Sequence, residues 1–299
     1  MGRILVIRGG AVGDFILTLP AIELLRTQLD NPHLEILGYP AIAALAVEFG
    51  FADATRSIER GPVAGFFVPE GDLDREWQCY FSDFDLIVSY LYDPDGFFHD
   101  NLKRAGVKSV IQASHRVDES LDLPAAAQLA KPLEEIALFP ERNYVTFELE
   151  PSAGTSTIAI HPGSGSPRKN WGYENWCRVA TALHQQHPDS RFLVISGEAE
   201  SESIADFLQL MTAAGVPFEH LQNAPLPEVA RRLGHCTRFL GHDSGISHLA
   251  AACDIPVTLI FGPTRSQIWA PQNPQVRIIE APEGRMDLVT VEMLTTAAS

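Results

Sequence analysis

The sequence has few cysteines, little positive charge and no long apolar run. Its four cysteines are far apart, with no Cys-x-x-Cys pair and no adjacent histidine pair, so neither a zinc site nor a disulfide framework is predicted. No stretch approaches the roughly 20 apolar residues that cross a bilayer, and the first residues are typical of a strand rather than a cleavable signal. We therefore expect a cytoplasmic protein with at most peripheral contact with the inner face of the membrane.

Basic residues are outnumbered by acidic ones. Lysine and arginine total 22 against 38 aspartates and glutamates, a formal net charge of −16, which argues against nucleic acid as a partner. The excess is uneven, because residues 1–150 carry 24 acids and 12 bases, and residues 151–299 carry 14 acids and 10 bases. The second half is therefore the better place for a multiply charged anion to bind.

The chain repeats an order of strand, loop and helix. This alternation predicts an α/β fold with doubly wound parallel sheets. The series is interrupted by a stretch rich in proline, glutamate and alanine, which ends in an expected edge strand, Tyr144–Pro151. We place the domain boundary there, with one domain at 1–153 and a second at 154–299. The predicted strands lie in Ile4–Ile7, Leu34–Pro40, Asp85–Leu91, Ser109–Ser114, Ser156–Gly165, Arg191–Gly197, Arg238–Gly245 and Pro256–Thr264.

Three loops of the second half have the composition of an anion site. The loop "HPGSGSPRKNW" combines glycines with Ser164 and Lys169, which can bind phosphate oxygens; a flexible loop with exposed bases is the alternative. The segment "HDSGISHL" places Asp243, Ser244 and Gly245 at a helix start, where free N–H groups attract anions. A plain helix cap and a structural His248 are the alternatives there. A third loop, Gly262–Thr264, follows a strand.

The first loop, Gly9–Gly13, has the glycines of a phosphate cradle but is followed by an acid, Asp14. A negative charge is unfavourable beside a phosphate, so the acid does not fit a simple phosphate cradle. From the residues alone, Asp14 could be a helix cap.

Taken together, the four loops resemble those of the bacterial heptosyltransferases of glycosyltransferase family 9. The matching segments are "ILVIRGGAVGDFILTLPAIELLR", "IAIHPGSGSPRKNWGYENWCRVATAL" and "FLGHDSGISHLAAACDIPVTLIFGPT". The resemblance implies a GT-B fold, with two Rossmann-like domains that have parallel sheets and face each other across a cleft. The first domain would take the acceptor and the second the nucleotide-sugar donor. We also expect the final residues to fold as a helix, with the C-terminal segment packing back on the first domain.

The resemblance also implies roles for individual residues. Asp14, after Gly13, matches the general base that removes the acceptor's hydroxyl proton, and Lys169 would bind the donor diphosphate. The remaining residues expected to contact the nucleotide sugar are Gly13, Ser164, Glu200, Asp243, Ser244, Gly245, His248, Gly262 and Thr264. The segment "YDPDG" mimics an Asp-x-Asp metal motif, but its proline and glycine favour a turn, so no metal site is assigned.

The expected activity is inverting, metal-independent transfer of a sugar to a saccharide or glycolipid acceptor. The sugar would be heptose, from a nucleotide diphosphate sugar such as ADP-heptose, in lipopolysaccharide or cell-surface glycan synthesis; no cofactor beyond the donor is expected. Two alternatives stay open. The scaffold could be an inactive nucleotide-sugar-binding protein, or another GT-B enzyme such as a nucleotide-sugar epimerase.

Overall fold

The computed structural model describes residues 2–59, 61–150 and 156–298, and the chain divides into two compact units, Met1–Val145 and Thr146–Ser299. The predicted boundary between residues 153 and 154 lies outside the described residues.

The described part of the first unit contains one parallel sheet with helices packed on it. Its strands are β1 (Arg3–Arg8), β2 (His33–Gly38), β3 (Ala54–Ser57), β4 (Leu86–Ser89) and β5 (Ser109–Gln112). Its helices are α1 (Val12–Gln28), α2 (Pro40–Glu48), α3 (Arg75–Ser82), α4 (Phe97–Arg104) and α5 (Ala125–Ala130), with 3-10 turns at Gly61–Phe67 and Lys131–Ile136. The strand order is β3-β2-β1-β4-β5.

Position in this sheet explains the composition of its strands. The central strand β1, with sequence RILVIR, pairs in parallel with both β2 and β4, and its apolar residues are buried. The edge strand β3, with sequence ATRS, has no fully buried residue, and the sequence did not predict it. An edge strand has a partner on one side only and can be short and polar.

Aspartate carboxylates accept backbone N–H groups at the N-termini of helices α3 and α4 in the first unit. Asp74 accepts a hydrogen bond from the N–H of Trp77 at 3.1 Å and caps α3. The carboxylate oxygens of Asp93, in the "YDPDG" segment, accept the N–H groups of Phe98 and His99 at 3.1 and 2.9 Å. The turn predicted for this segment is present, and it leads into α4.

The described part of the second unit has the same plan with one more strand. Its strands are β6 (Thr157–Ile160), β7 (Arg191–Ser196), β8 (Phe218–Gln222), β9 (Arg238–His242), β10 (Val257–Phe261) and β11 (Val276–Glu280). Its helices are α6 (Tyr173–Gln186), α7 (Ile204–Ala213), α8 (Leu226–Gly234), α9 (Gly245–Ala252), α10 (Ser266–Trp269) and α11 (Val291–Ala298). Four 3-10 turns are described at Pro167–Lys169, Glu198–Glu200, Pro282–Gly284 and Met286–Leu288. All described strand pairs are parallel, in the order β11-β10-β9-β6-β7-β8.

The C-terminal segment forms a helix, as expected. Leu294 and Ala298 of α11 are buried in the core of the second unit, together with Trp171 and Trp176. The Trp171 indole N–H donates to the carbonyl of Val289 at 3.0 Å, which ties the end of the glycine-rich loop to the segment before α11. Packing of the C-terminal segment on the first domain stays a prediction.

The strand expected at Tyr144–Pro151 is wrong over its described residues, 144–150, which have no regular structure. Val145 and Phe147 are buried, so the alternating pattern is real. The N–H of Phe147, however, donates to the carbonyl of Ala252 at 2.7 Å, at the end of helix α9. Alternating burial here reflects an extended segment that packs on a unit without joining a sheet.

Each sheet has a point where the strand order reverses. In the first sheet it lies between β1 and β4, and in the second between β6 and β9. Ligands of open α/β sheets bind beyond the carboxyl ends of the strands at such points. The loop before Asp14 follows β1, and the loops that contain Lys169 and Asp243 follow β6 and β9.

Candidate functional site

Lys169, Asp243 and Thr264 meet beyond the carboxyl edge of the second sheet. The Lys169 ammonium donates to Oδ2 of Asp243 at 2.6 Å, and the Thr264 hydroxyl donates to the same oxygen at 2.7 Å. The Asp243 side chain is 9% exposed, whereas that of Lys169 is 28% exposed. Because an ammonium has three N–H donors, Lys169 can hold this carboxylate and still present a donor to a phosphate.

The N-terminus of α9 lies directly after Asp243. Ser244 caps the helix by accepting the Ser247 N–H, and the Ser247 hydroxyl donates to the carbonyl of His242. Gly245 is the first residue of the helix, and His248 is buried in its first turn. The predicted helix start is therefore present, and the positive end of its dipole adds to the charge of Lys169.

Glu200 is connected to the same region through His161. The Nε2 of His161 lies 3.6 Å from Oε2 of Glu200, and its Nδ1 lies 3.2 Å from the Ser244 hydroxyl. Glu200 and His161 are both buried. Burial acts to raise the pKa of Glu200. The hydrogen bond and charge of His161, together with the Gly197 N–H, outweigh burial, so the pKa of Glu200 lies below its ordinary value. The carboxylate is therefore ionised near neutral pH, and its predicted contact with a ribose stays a prediction.

Gly163 is needed for the packing of Glu200. A Cβ at Gly163 would overlap with the carboxyl group of Glu200, so a larger residue would displace that side chain. The glycine therefore allows the loop after β6 to lie directly on the 3-10 turn that begins at Glu198.

Ser164 and Gly262 have structural roles. The buried Ser164 hydroxyl lies 2.7 Å from Oδ1 of Asn170 and 2.9 Å from the Ser166 carbonyl, so it is engaged within its own loop. A Cβ at Gly262 would collide with the Met286 side chain. Both residues shape the loops around Lys169, and direct contact of either with a donor stays a prediction.

His242 fixes the loop after β6, and the sequence did not predict this role. Its Nε2 accepts the backbone N–H of Trp171 at 2.9 Å and lies 3.3 Å from the indole N–H of Trp176, while its Nδ1 lies 3.3 Å from the Gly163 carbonyl. These partners require a neutral ring with the proton on Nδ1. Complete burial lowers the pKa of His242 to about 3, in agreement with that state. In the sequence, the sign of this role was a histidine at the end of a mostly apolar strand, β9.

We expect the His242→Gln variant to be less stable than the wild type at pH 7, because glutamine cannot satisfy the same three partners in a full core. A histidine whose folded pKa is depressed contributes stability above its unfolded pKa of about 6.5, and loses it as pH falls toward the folded value. His161, Glu200 and Asp243 also face this ring but are unchanged in the variant. The difference in the free energy of unfolding between the wild type and the variant should therefore be about 2 kcal/mol smaller at pH 5 than at pH 7. Urea unfolding at the two pH values measures this difference. An equal gap at both pH values would contradict a neutral buried ring.

In the first unit, Asp14 lies in the first turn of α1. Its Oδ2 accepts the Ala11 N–H at 3.1 Å, and its Oδ1 lies 3.8 Å from Nη2 of Arg8. The Asp14 side chain is 39% exposed. Gly13 precedes it inside the helix, and the turn before the helix uses Gly10, which has a φ of +100°. Asp14 therefore caps the helix and also keeps its carboxylate open to solvent.

Arg8 is a buried cation behind Asp14, and it too was missed from the sequence. Its two terminal nitrogens donate to the carbonyls of Asp14 and His115, each at 3.3 Å. Its guanidinium also lies over the ring of Tyr90, at 5.4 Å from the centroid. Burial lowers the pKa of Arg8, and the charge of Asp14 opposes that shift. Arg8 thus joins the start of α1 to the loop after β5.

Sequence comparison now identifies the family. The sequence model described as glycosyltransferase family 9 (heptosyltransferase) matches residues 102–295. The chain belongs to this family. It is a glycosyltransferase, and membership favours neither the inactive binding protein nor the epimerase.

Relatives and solved structures agree with this assignment. The family 9 chain is 21% identical to lipooligosaccharide heptosyltransferase 2 of Campylobacter jejuni over 277 residues, 90% of this chain and 84% of the relative. The glycosyl transferase family 9 structure from Veillonella parvula has a TM-score of 0.81 at 17% identity, covering 99% of this chain and 96% of that one. The structure of Escherichia coli ADP-heptose lps heptosyltransferase II has a TM-score of 0.78 at 15% identity, covering 99% and 97%. These likenesses confirm the predicted GT-B fold with two Rossmann-like units.

The described ranges contain neither a candidate metal cluster nor a candidate membrane-spanning helix. Among residues 2–59, 61–150 and 156–298, no cluster of three or more histidine, cysteine, aspartate or glutamate side chains is arranged to hold a metal ion. No helix in those same ranges is both long and apolar enough to span a bilayer.

Proposed function

We propose that this family 9 glycosyltransferase transfers heptose from ADP-heptose to a saccharide of lipopolysaccharide or lipooligosaccharide. The observation that carries the proposal is the group formed by Lys169, Asp243 and Thr264, at the N-terminus of α9 and at the point where the strand order of the second sheet reverses. The donor and acceptor classes are those of the similar proteins, the lipooligosaccharide heptosyltransferase of C. jejuni and the ADP-heptose lps heptosyltransferase of E. coli.

In this proposal the second unit holds the donor. A diphosphate brings several negative charges, which Lys169 and the free N–H groups of α9 can neutralise without a metal ion. The same groups stabilise the charge that the diphosphate gains as its bond to the anomeric carbon breaks. Asp243, next to Lys169, can accept hydrogen bonds from sugar hydroxyl groups, because a carboxylate has several acceptor positions.

The first unit would supply the base. The Asp14 carboxylate takes the proton of the acceptor hydroxyl while that oxygen attacks the anomeric carbon from the face opposite the diphosphate. One C–O bond forms as the other breaks, ADP leaves, and the configuration at that carbon inverts. Arg8 and the Ala11 N–H orient the carboxylate for this step.

The test is a transfer assay with the purified protein. The acceptor is lipopolysaccharide extracted from a bacterium that lacks heptosyltransferases, and the donors are ADP-heptose and, for comparison, UDP-N-acetylglucosamine. The proposal expects ADP release and heptosylated product with ADP-heptose alone, also in the presence of EDTA, and a product with the opposite anomeric configuration. Epimerised UDP sugar without transfer, or a product of retained configuration, would contradict it.

A further inference from the structure

Two exposed tyrosines stand on either side of the loop that leads to Asp14. Tyr39 follows β2 and is 41% exposed, and Tyr92 follows β4 and is 63% exposed. Strands β2 and β4 are the two neighbours of β1, and all three are parallel. The residues after these strands therefore lie at one edge of the sheet, with the β1 loop between the two tyrosines.

Each tyrosine ring contacts a residue near Asp14: Tyr39 packs on Gly9, and Tyr92 packs on His115. On one side, a Cβ built at Gly9 would lie 3.8 Å from Cε2 of Tyr39, so that ring packs on the glycine loop. On the other side, the Tyr92 ring lies 4.6 Å from the His115 ring, centroid to centroid. The His115 carbonyl accepts from Arg8, which in turn faces the Asp14 carboxylate. Tyr39 therefore packs on the loop before Asp14, and Tyr92 contacts a residue whose carbonyl binds Arg8.

Tyr39 and Tyr92 share their exposure with Phe67 and Phe139 in the first unit, but among these four only the tyrosines follow the two strands that flank β1. Many other large aromatic side chains of this unit are buried. Trp77, Phe81 and Phe98 lie in its core. Exposed aromatic rings around a few polar groups are typical of ligand sites, since a tyrosine offers an apolar face and a polar tip.

We propose that Tyr39 and Tyr92 bind the acceptor sugar by stacking against the C–H faces of its rings, so that its reacting hydroxyl reaches Asp14. The inference rests on the proposed function and narrows the acceptor class. An aromatic face suits an uncharged sugar ring, and residues 1–150 carry twice as many acids as bases, which disfavours a phosphate. The buried Arg8 is engaged by two carbonyls. The sugar unit held at this edge is therefore unphosphorylated.

The test compares Tyr39→Ala and Tyr92→Ala with Tyr39→Phe and Tyr92→Phe, using ADP-heptose and the core oligosaccharide released from the acceptor lipopolysaccharide. Loss of a ring should raise the acceptor KM by about tenfold or more, while the ADP-heptose KM changes little and the phenylalanine variants stay near wild type. Phe139→Ala is the matched control, because Phe139 is 58% exposed in the same unit but follows none of these strands. Unchanged acceptor KM values in both alanine variants would overturn the proposal.

Binding is measured separately, so that failure of transfer does not leave the inference undecided. Saturation-transfer NMR with the same oligosaccharide should show saturation of ring C–H protons with the wild type, and loss of it with either alanine variant. Phosphatase treatment of the oligosaccharide should leave this signal in place. If no transfer occurs but the signal depends on the tyrosines, the proposed function fails and the saccharide site stands. A signal that is absent, independent of both rings or abolished by phosphatase would contradict the site.

Discussion

The Asp14→Asn variant is expected to turn over roughly 10²-fold or more slowly than the wild type, with little change in donor affinity. Asparagine keeps the shape of the side chain and an oxygen that can accept the Ala11 N–H, so the start of α1 should persist. It cannot take a proton from a hydroxyl. The rate is measured as ADP release at saturating donor and acceptor, and the affinity by calorimetric titration with ADP.

The matched control is Asp74→Asn. Asp74 also accepts a backbone N–H at a helix start in the same unit, at 3.1 Å from the nitrogen of Trp77. If Asp14 were only a helix cap, both variants would show a small loss of thermal stability and near-normal turnover. A large rate effect confined to the Asp14 variant would assign the base, and near-normal turnover in both would reduce Asp14 to a cap.

Lys169→Ala is expected to weaken ADP binding by about 10- to 100-fold, the effect of losing one charge-assisted hydrogen bond of about 1.5–3 kcal/mol. Transfer should slow as well, because the lysine also stabilises the departing diphosphate. Part of the lost ADP affinity would come from Asp243, because its nearly buried carboxylate would then face the diphosphate without the neighbouring Lys169 cation. Calorimetry with ADP measures the first effect, and ADP release measures the second.

Arg168→Ala is the matched control for this variant. Arg168 is the exposed neighbour of Lys169 in the same 3-10 turn and has the same charge, but no ion pair to Asp243 is described for it. General electrostatic attraction would be reduced by both variants alike. A specific phosphate contact requires that the lysine variant lose far more affinity, and equal losses would show that Lys169 makes no directed bond.

The accuracy of the fold prediction depended on where a strand lies in its sheet. The inner strands are largely buried, and the sequence predicted all seven of them: β1, β2, β4, β6, β7, β9 and β10. It also predicted one edge strand, β5. The strands that it missed are β3, β8 and β11, each at the edge of a sheet. An edge strand needs fewer buried residues, so strands such as "FEHLQ" carry little of the signal that predicts an inner strand.

The site shows a similar division. The loops and the helix start at Ser244 could be predicted, because glycines and capping residues act locally. The pair of Lys169 and Asp243 could be suspected only from the family, since 74 residues separate them. The structural roles of His242 and Arg8, which hold loops by hydrogen bonds, could not be predicted. Their carbonyl and N–H partners are brought together only in the folded sheet. Ser164 shows the reverse case, as a plausible phosphate ligand that the fold uses inside its own loop.

A crystal structure of the protein with ADP bound would test the central claim most directly. The account predicts that the diphosphate lies at the N-terminus of α9, with Nζ of Lys169 about 2.7–2.9 Å from one of its oxygens, as in other charge-assisted hydrogen bonds. A diphosphate bound away from Lys169 and α9 would contradict the assignment of the donor site.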